Sequence, residues 1–139
     1  MTTTSDRLLR RTLWANAILS VGSGALLAAL ATPFAKMATH APLQVLGLDL
    51  AIVLELLGLG FVAFGAVCGW VASRPEMPLG WARAIFVLDA SWVAVSAVIL
   101  MLPASWTVAG IAGIVFIALV VADLAILEYL GLRRIGTAH

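Results

Sequence analysis

Residues 46–72 read LGLDLAIVLELLGLGFVAFGAVCGWVA, an apolar run with two acidic residues, Asp49 and Glu55, and no basic residue. A helix needs about 20 residues to cross the roughly 30 Å of hydrocarbon in a bilayer, at a rise of about 1.5 Å per residue. The run exceeds that length. It therefore predicts a helix that spans a membrane.

Three further runs of similar character occupy most of the remaining chain. Each break between neighbouring runs contains proline, which ends helices because it lacks the amide hydrogen and clashes with the preceding turn. We expect a single transmembrane domain over residues 1–139, an all-α integral membrane four-helix bundle. The predicted helices cover residues 13–34, 46–72, 84–102 and 108–130.

The composition supports this class and excludes others. Hydrophobic residues make up 63% of the 139 residues and charged residues 11%, whereas a soluble domain carries about a quarter charged residues. A net charge of +1 gives no sign of a nucleic-acid surface. Cys68 is the only cysteine, which excludes an internal disulfide and a cysteine-rich metal site.

Catalytic and cofactor chemistry is also not indicated. The two histidines, His40 and His139, lie in a break and at the end of the chain, so they do not form a pair that could hold a haem between helices. No nucleophile stands beside a placed base, and no glycine loop has the setting that phosphate binding needs. We expect a protein that is not an enzyme and has no cofactor or metal.

Basic residues indicate the orientation, because short cytoplasmic segments accumulate lysine and arginine. Only Lys36 falls on the other side of the predicted membrane. We expect both termini to be cytoplasmic. The seven basic residues on the cytoplasmic side are Arg7, Arg10, Arg11, Arg74, Arg83, Arg133 and Arg134.

Polar residues inside the spans are predicted to share a depth. Asn16, Asp89 and Asp123 fall at one level of the cytoplasmic half, Glu128 lies closer to the inner surface, and Glu55 lies nearer the centre in the outer half. A central aspartate costs about 2.5–3.5 kcal/mol on the insertion scale, while each large aliphatic residue returns about 0.3–0.6 kcal/mol. We therefore expect these acids to face the interior of the bundle.

Small and polar residues recur at steps of three and four in every span. In the second span, Glu55 shares such a stripe with three glycines, and small residues let helices approach closely in lipid. We expect the four stripes to face a common axis. The predicted buried polar cluster is Asn16, Glu55, Asp89, Trp92 and Asp123, and the predicted packing glycines are Gly58, Gly65, Gly69 and Gly113.

Two interpretations of the polar cluster remain open. In the first, hydrogen bonds inside the cluster fix the register of a bundle whose apolar contacts are unspecific. In the second, the cluster is a site for a proton, a cation or a polar headgroup, since ionisable residues within membranes mark functional sites by default.

The order of RLLRRTLWANAILSVGSG, GLGFVAFGAVCGWVASR, VLDASWVAVSAVIL and EYLGLRR resembles small four-span bacterial inner-membrane proteins of unassigned function. The resemblance covers nearly the whole chain and implies the same fold and a multi-pass location in a bacterial inner membrane. The small multidrug-resistance exporters also have four helices, but they use a glutamate in the first helix. Here the first helix offers Asn16, so no residue is carried over from them.

These observations favour a non-catalytic membrane protein that recognises a membrane partner, a lipid or an apolar ligand within the bilayer. Membrane lipid is the expected partner, together with another membrane protein or a second copy of the chain, and nucleic acid is not. The alternative is a small proton-linked transporter or channel in which Glu55 or Asp89 alternates between protonated and charged forms.

Overall fold

The computed structural model describes residues 4–102 and 104–136, and that part of the chain is mainly helical. The elements in chain order are α1 Thr4–Ala29, α2 Ala31–Ala38, β1 Gln44–Val45, β2 Leu48–Asp49, α3 Leu50–Ser73, α4 Leu79–Met101 and α5 Val108–Gly136. The helices α1, α3, α4 and α5 are each long and apolar enough to cross a membrane. The predicted all-α membrane architecture is confirmed, and the chain is a multi-pass membrane protein.

The ends of the helices differ from the predicted ends in a consistent way. α1 begins at Thr4 rather than at residue 13, and α5 continues to Gly136 rather than stopping at residue 130. Hydropathy reveals only the part of a helix that lies in hydrocarbon, whereas arginine-rich ends are also good helix formers. The predicted first span divides at Leu30, and Pro33 lies in the first turn of α2, where proline is tolerated.

A short hairpin, absent from the predicted elements, precedes α3. β1 and β2 pair antiparallel, with Val45 opposite Leu48, and the two residues between them have positive φ angles of 54° at Leu46 and 80° at Gly47. Positive φ at both central residues is the geometry of the two-residue turn that matches the twist of a hairpin. α3 consequently begins at Leu50, not at residue 46.

Backbone hydrogen bonds tie the end of α2 to the segment between α4 and α5. The amide of His40 donates to the carbonyl of Ser105 at 2.8 Å, and the amide of Thr107 donates to the carbonyl of Ala38 at 2.9 Å. These bonds join the two connections at the same end of the bundle. They hold the start of α5 against α2.

The four long helices follow the order α3, α1, α5, α4 around the bundle. α1 packs along α3 and α5, and α4 packs along α5, whereas α3 and α4 touch over a short stretch only. Glycines explain the close approach of α1 and α3. A Cβ atom added at Gly58 would lie 2.6 Å from the carbonyl oxygen of Gly24, and one added at Gly65 would lie 2.8 Å from that of Ala17.

The packed core lies toward the end of the bundle where α3 ends and α4 begins. It is built from apolar residues of α1, α3 and α4, and Leu132 and Ile135 of α5 pack against it. Beyond this core, α3 and α4 have few contacts. The buried members are Leu9, Leu13, Ala17, Cys68, Val71, Ala72, Ala82 and Ile85.

Arg10 binds the carboxyl end of α3, where helix carbonyl groups lack partners within the helix. Its guanidinium donates to the carbonyl of Ala72 and, at 2.6 Å, to the carbonyl of Arg74. It also pairs with Asp6 of α1 at 3.1 Å. The arginine therefore joins the first turns of α1 to the last turn of α3.

We expect Arg10→Ala to lower the free energy of unfolding by about 1–3 kcal/mol, because a partly buried carbonyl loses its donor. Arg11→Ala is the matched control, since Arg11 is exposed and its loss removes the same charge. Melting of both variants in detergent measures the difference. Equal melting temperatures would contradict the role of Arg10.

Candidate ligand-binding cavity

Three buried polar side chains from three helices meet inside the bundle. The side-chain nitrogen Nδ2 of Asn16 on α1 donates to Oδ2 of Asp89 on α4 at 2.5 Å and to Oε1 of Glu128 on α5 at 2.9 Å. The exposed fractions are 2% for Asn16, 5% for Asp89 and 0% for Glu128. We call these three residues the polar triad. One amide group thus holds two carboxyl groups by one N–H each.

The hydrogen-bonding capacity of the polar triad is only partly used. The hydroxyl of Ser20 donates to Oδ1 of Asn16 at 2.9 Å, so both ends of the Asn16 amide have partners. Oε2 of Glu128 is buried and has no hydrogen-bond partner among residues 4–102 and 104–136. Two carboxyl groups bonded to one amide nitrogen therefore lie close together at this point of the bundle.

A cavity of about 380 Å³ lies beside the polar triad and draws its walls from all four long helices. Its polar lining residues are Asn16, Ser20, Ser23 and Asp89. The rest of the wall is mainly apolar, and it includes Leu57, Phe61, Phe64, Leu88, Trp92, Phe116, Ile117, Val120, Val121 and Leu124. Its volume falls in the range of about 300–1,000 Å³ that is usual for small-molecule sites.

Two aromatic rings join α3 and α4 at the cavity. Phe61 and Trp92 meet edge to face with ring centroids 4.9 Å apart. Nε1 of Trp92 is buried and has no hydrogen-bond partner in the described part of the chain. A buried indole N–H usually has a partner, so the wall of the cavity holds an unused donor.

The cavity opens on the outer surface of the bundle. Phe116 and Leu88 line it, yet they are 69% and 56% exposed. In a membrane-spanning bundle, an exposed apolar side chain at mid-helix faces acyl chains. A molecule dissolved in the bilayer could therefore enter without passing through water.

The structure brings together only some of the predicted polar cluster. Asn16 and Asp89 bond to each other, and Trp92 lines the adjoining cavity. Asp123, which we expected beside them, is exposed on α5, and Glu128 occupies the predicted place. The prediction for Asp123 is therefore corrected.

The error at Asp123 has a geometric cause. The buried side of α5 passes through Leu124, Glu128 and Gly131, and adjacent residues differ by about 100° around a helix of 3.6 residues per turn. The stripe drawn through Gly113 and Asp123 lies on another side of the helix. Because the predicted helix stopped at residue 130, Glu128 also seemed to lie at the membrane surface.

Gly113 is corrected for the same reason. It is exposed, and a Cβ atom added there meets no atom within 4 Å. The close approaches on α5 are instead at Gly110, which meets Ala38 of α2, and at Gly131, where an added Cβ would lie 2.9 Å from Cβ of Leu9. Steps of three and four through Leu124 and Glu128 would have found Gly131.

Glu55 is exposed as well, which corrects its predicted place in the buried cluster. Gly58 touches Ala28 of α1, and α1 ends at Ala29. Glu55 lies about one turn before Gly58, toward the start of α3, and so beyond the end of α1. The other predicted glycines of this helix do face α1, since a Cβ atom added at Gly65 would meet Val21 and one added at Gly69 would lie 3.6 Å from the Trp14 ring.

Comparison of the chain with protein-family models, with curated proteins and with solved structures finds no match. The geometry of the cavity therefore stands as the basis for a functional assignment.

Proposed function

We propose that this membrane protein is a non-catalytic binding protein that takes up an apolar molecule, or the chain of a lipid, from the bilayer. The observation that carries the proposal is the cavity of about 380 Å³ between the four long helices. Close packing holds helices together in lipid, so a bundle that did not use its interior space would be expected to close it.

The shape of the bundle explains why the space persists. α1 is held to α3 by glycine contacts, and α4 is held to α5, but α3 and α4 meet mainly through the Phe61–Trp92 pair and near the packed core. The row of helices α3, α1, α5 and α4 is therefore open between α3 and α4. The polar side of the cavity can fix one end of a ligand while its apolar walls accept the remainder.

A proton-linked transporter is the competing proposal, and fewer observations support it. Asp89 and Glu128 would be the exchanging groups, since Glu55 is exposed. Transport of protons requires a water path to both sides of the membrane. Asp89 shares its cavity with apolar lining residues such as Ile117, Val121 and Leu124, which favours an apolar ligand over water.

A photoactivatable alkyl diazirine tests the proposed function in phosphatidylcholine vesicles. We expect saturable labelling of the wild-type protein, which unlabelled alkyl compound displaces, at peptides that contain Phe61, Val120 or Leu124. Val120→Trp should remove the saturable part, because the larger side chain fills the cavity that Val120 lines.

Leu119→Trp is the matched control for this experiment. Leu119 is 62% exposed and does not line the cavity, so the same change at this neighbouring position of α5 should leave saturable labelling intact. Labelling that never saturates, or that both tryptophan variants reduce equally, would refute the proposal.

A further inference from the structure

We infer that the cavity selects an amphipath whose head group is positively charged and donates hydrogen bonds, such as a long-chain amine. The inference rests on the proposed function, because it names the class of ligand for the same cavity. It starts from the polar side of the wall, where Asp89 stands beside Asn16 and Ser20.

The acceptor capacity of Asp89 in the cavity wall points to a ligand that donates. Both N–H groups of the Asn16 amide are used by Asp89 and Glu128, and the Ser20 hydroxyl is used by Asn16. Asp89, which lines the cavity, keeps further acceptor capacity, since an ionised carboxylate has about four lone-pair sites.

The charge of the surrounding span favours a cation. Between Thr12 and Ala35, between Leu50 and Ser73, and between Ala84 and Leu132, the sequence has no lysine or arginine. A buried carboxyl group is stabilised by an opposite charge with hydrogen-bond geometry. An ammonium group at the Asp89 end of the cavity would supply both.

The aromatic part of the wall suits the same head group. Trp92 lies one helical turn from Asp89 on α4 and lines the cavity. A cation within about 6 Å of an indole ring is attracted by the ring's electron-rich face. Beyond Trp92, side chains such as Phe116 and Ile117 provide an apolar path for an alkyl chain.

Competition against the alkyl diazirine tests the ligand class with three probes of equal chain length. Dodecylamine, dodecan-1-ol and dodecanoate would be added at pH 7 to phosphatidylcholine vesicles that contain the full chain. We expect half-displacement by dodecylamine at about one tenth of the concentration that dodecanol needs, as for one charge-assisted hydrogen bond. Dodecanoate should be the weakest competitor, because Asp89 repels it.

Two variants separate the cavity from general effects of the membrane. In Asp89→Asn, dodecylamine and dodecanol should reach half-displacement at similar concentrations. Asp123→Asn, the same change at an exposed position of α5, should preserve the tenfold preference for dodecylamine. Partition of the probes into the vesicles is the same for all three proteins, so it cancels in this comparison.

The outcomes for the two proposals are distinct. In one outcome, Val120→Trp abolishes saturable labelling, but dodecanol or dodecanoate displaces the diazirine at the same concentration as dodecylamine. That result overturns the cationic ligand class and keeps the binding function. A lack of saturable labelling overturns both. With the probe concentrations expressed as mole fractions in the bilayer, the comparison of head groups on the wild-type protein decides the question even if Asp89→Asn does not fold.

Discussion

Asn16→Leu is expected to lower the free energy of unfolding by about 3–5 kcal/mol. Leucine has the same branching and the same number of side-chain heavy atoms as asparagine, so the change removes polar contacts while keeping the shape of the side chain. The two carboxyl groups of Asp89 and Glu128, bonded to one nitrogen in the native bundle, each lose a donor in the protein interior. Leaving buried partners unsatisfied costs more than the bonds themselves contribute.

Unfolding in mixed micelles of mild detergent and dodecyl sulfate would measure this loss. Ser20→Ala is the graded control, because it removes only the hydroxyl that donates to Oδ1 of Asn16 and should cost about 1 kcal/mol. A loss at Asn16→Leu no larger than that at Ser20→Ala would contradict the central position of the Asn16 amide.

A double-mutant cycle adds a sharper criterion. Once Glu128 is replaced by leucine, Asn16→Leu strands one carboxyl group instead of two, so its cost should fall by at least about 1 kcal/mol. Glu128 is suited to this cycle because it is fully buried and does not line the cavity. Additive losses would show that the amide and this carboxyl group act independently.

The fold was predictable because hydrocarbon is a uniform solvent. Every residue in a span meets the same requirement for low polarity, so runs such as 46–72 stand out without knowledge of their neighbours. The same reasoning could not find the helical extension before Leu13 or the hairpin turn at Leu46 and Gly47. Those segments lie where water or the interface can satisfy the backbone, so apolar patterning no longer fixes their structure.

The site was predictable only in part, because each stripe depends on the rotation of a helix about its own axis. Asn16 and Asp89 were assigned to one level, and they meet. On α5 an acid lies on each of two sides, and periodicity alone does not say which side faces α1. The contact of Gly131 with Leu9 decides it in favour of Glu128, and that contact depends on the tertiary packing of two distant segments.

Gly58→Ala is expected to lower the free energy of unfolding by about 1–3 kcal/mol, although alanine is the better helix former. The added Cβ atom would lie 2.6 Å from the amide nitrogen of Ala28 and 2.6 Å from the carbonyl oxygen of Gly24. Both atoms belong to the backbone of α1, so no side chain can turn aside. α1 and α3 must therefore move apart along the seam that Gly24 and Gly58 form.

Gly60→Ala provides the matched comparison on the same helix, because a Cβ atom there meets nothing within 4 Å. We expect its stability to equal or exceed that of the wild type by up to about 1 kcal/mol, since alanine has the higher helix propensity. Gly24→Ala, on the facing helix, should lower the free energy of unfolding by about as much as Gly58→Ala. The double variant should lose less than the sum of the two single losses, because one displacement of α1 accommodates both methyl groups. Equal stabilities of the Gly58 and Gly60 variants would mean that α1 and α3 are not in close backbone contact, and the cavity would then lose the rigid pair of helices that forms one of its sides.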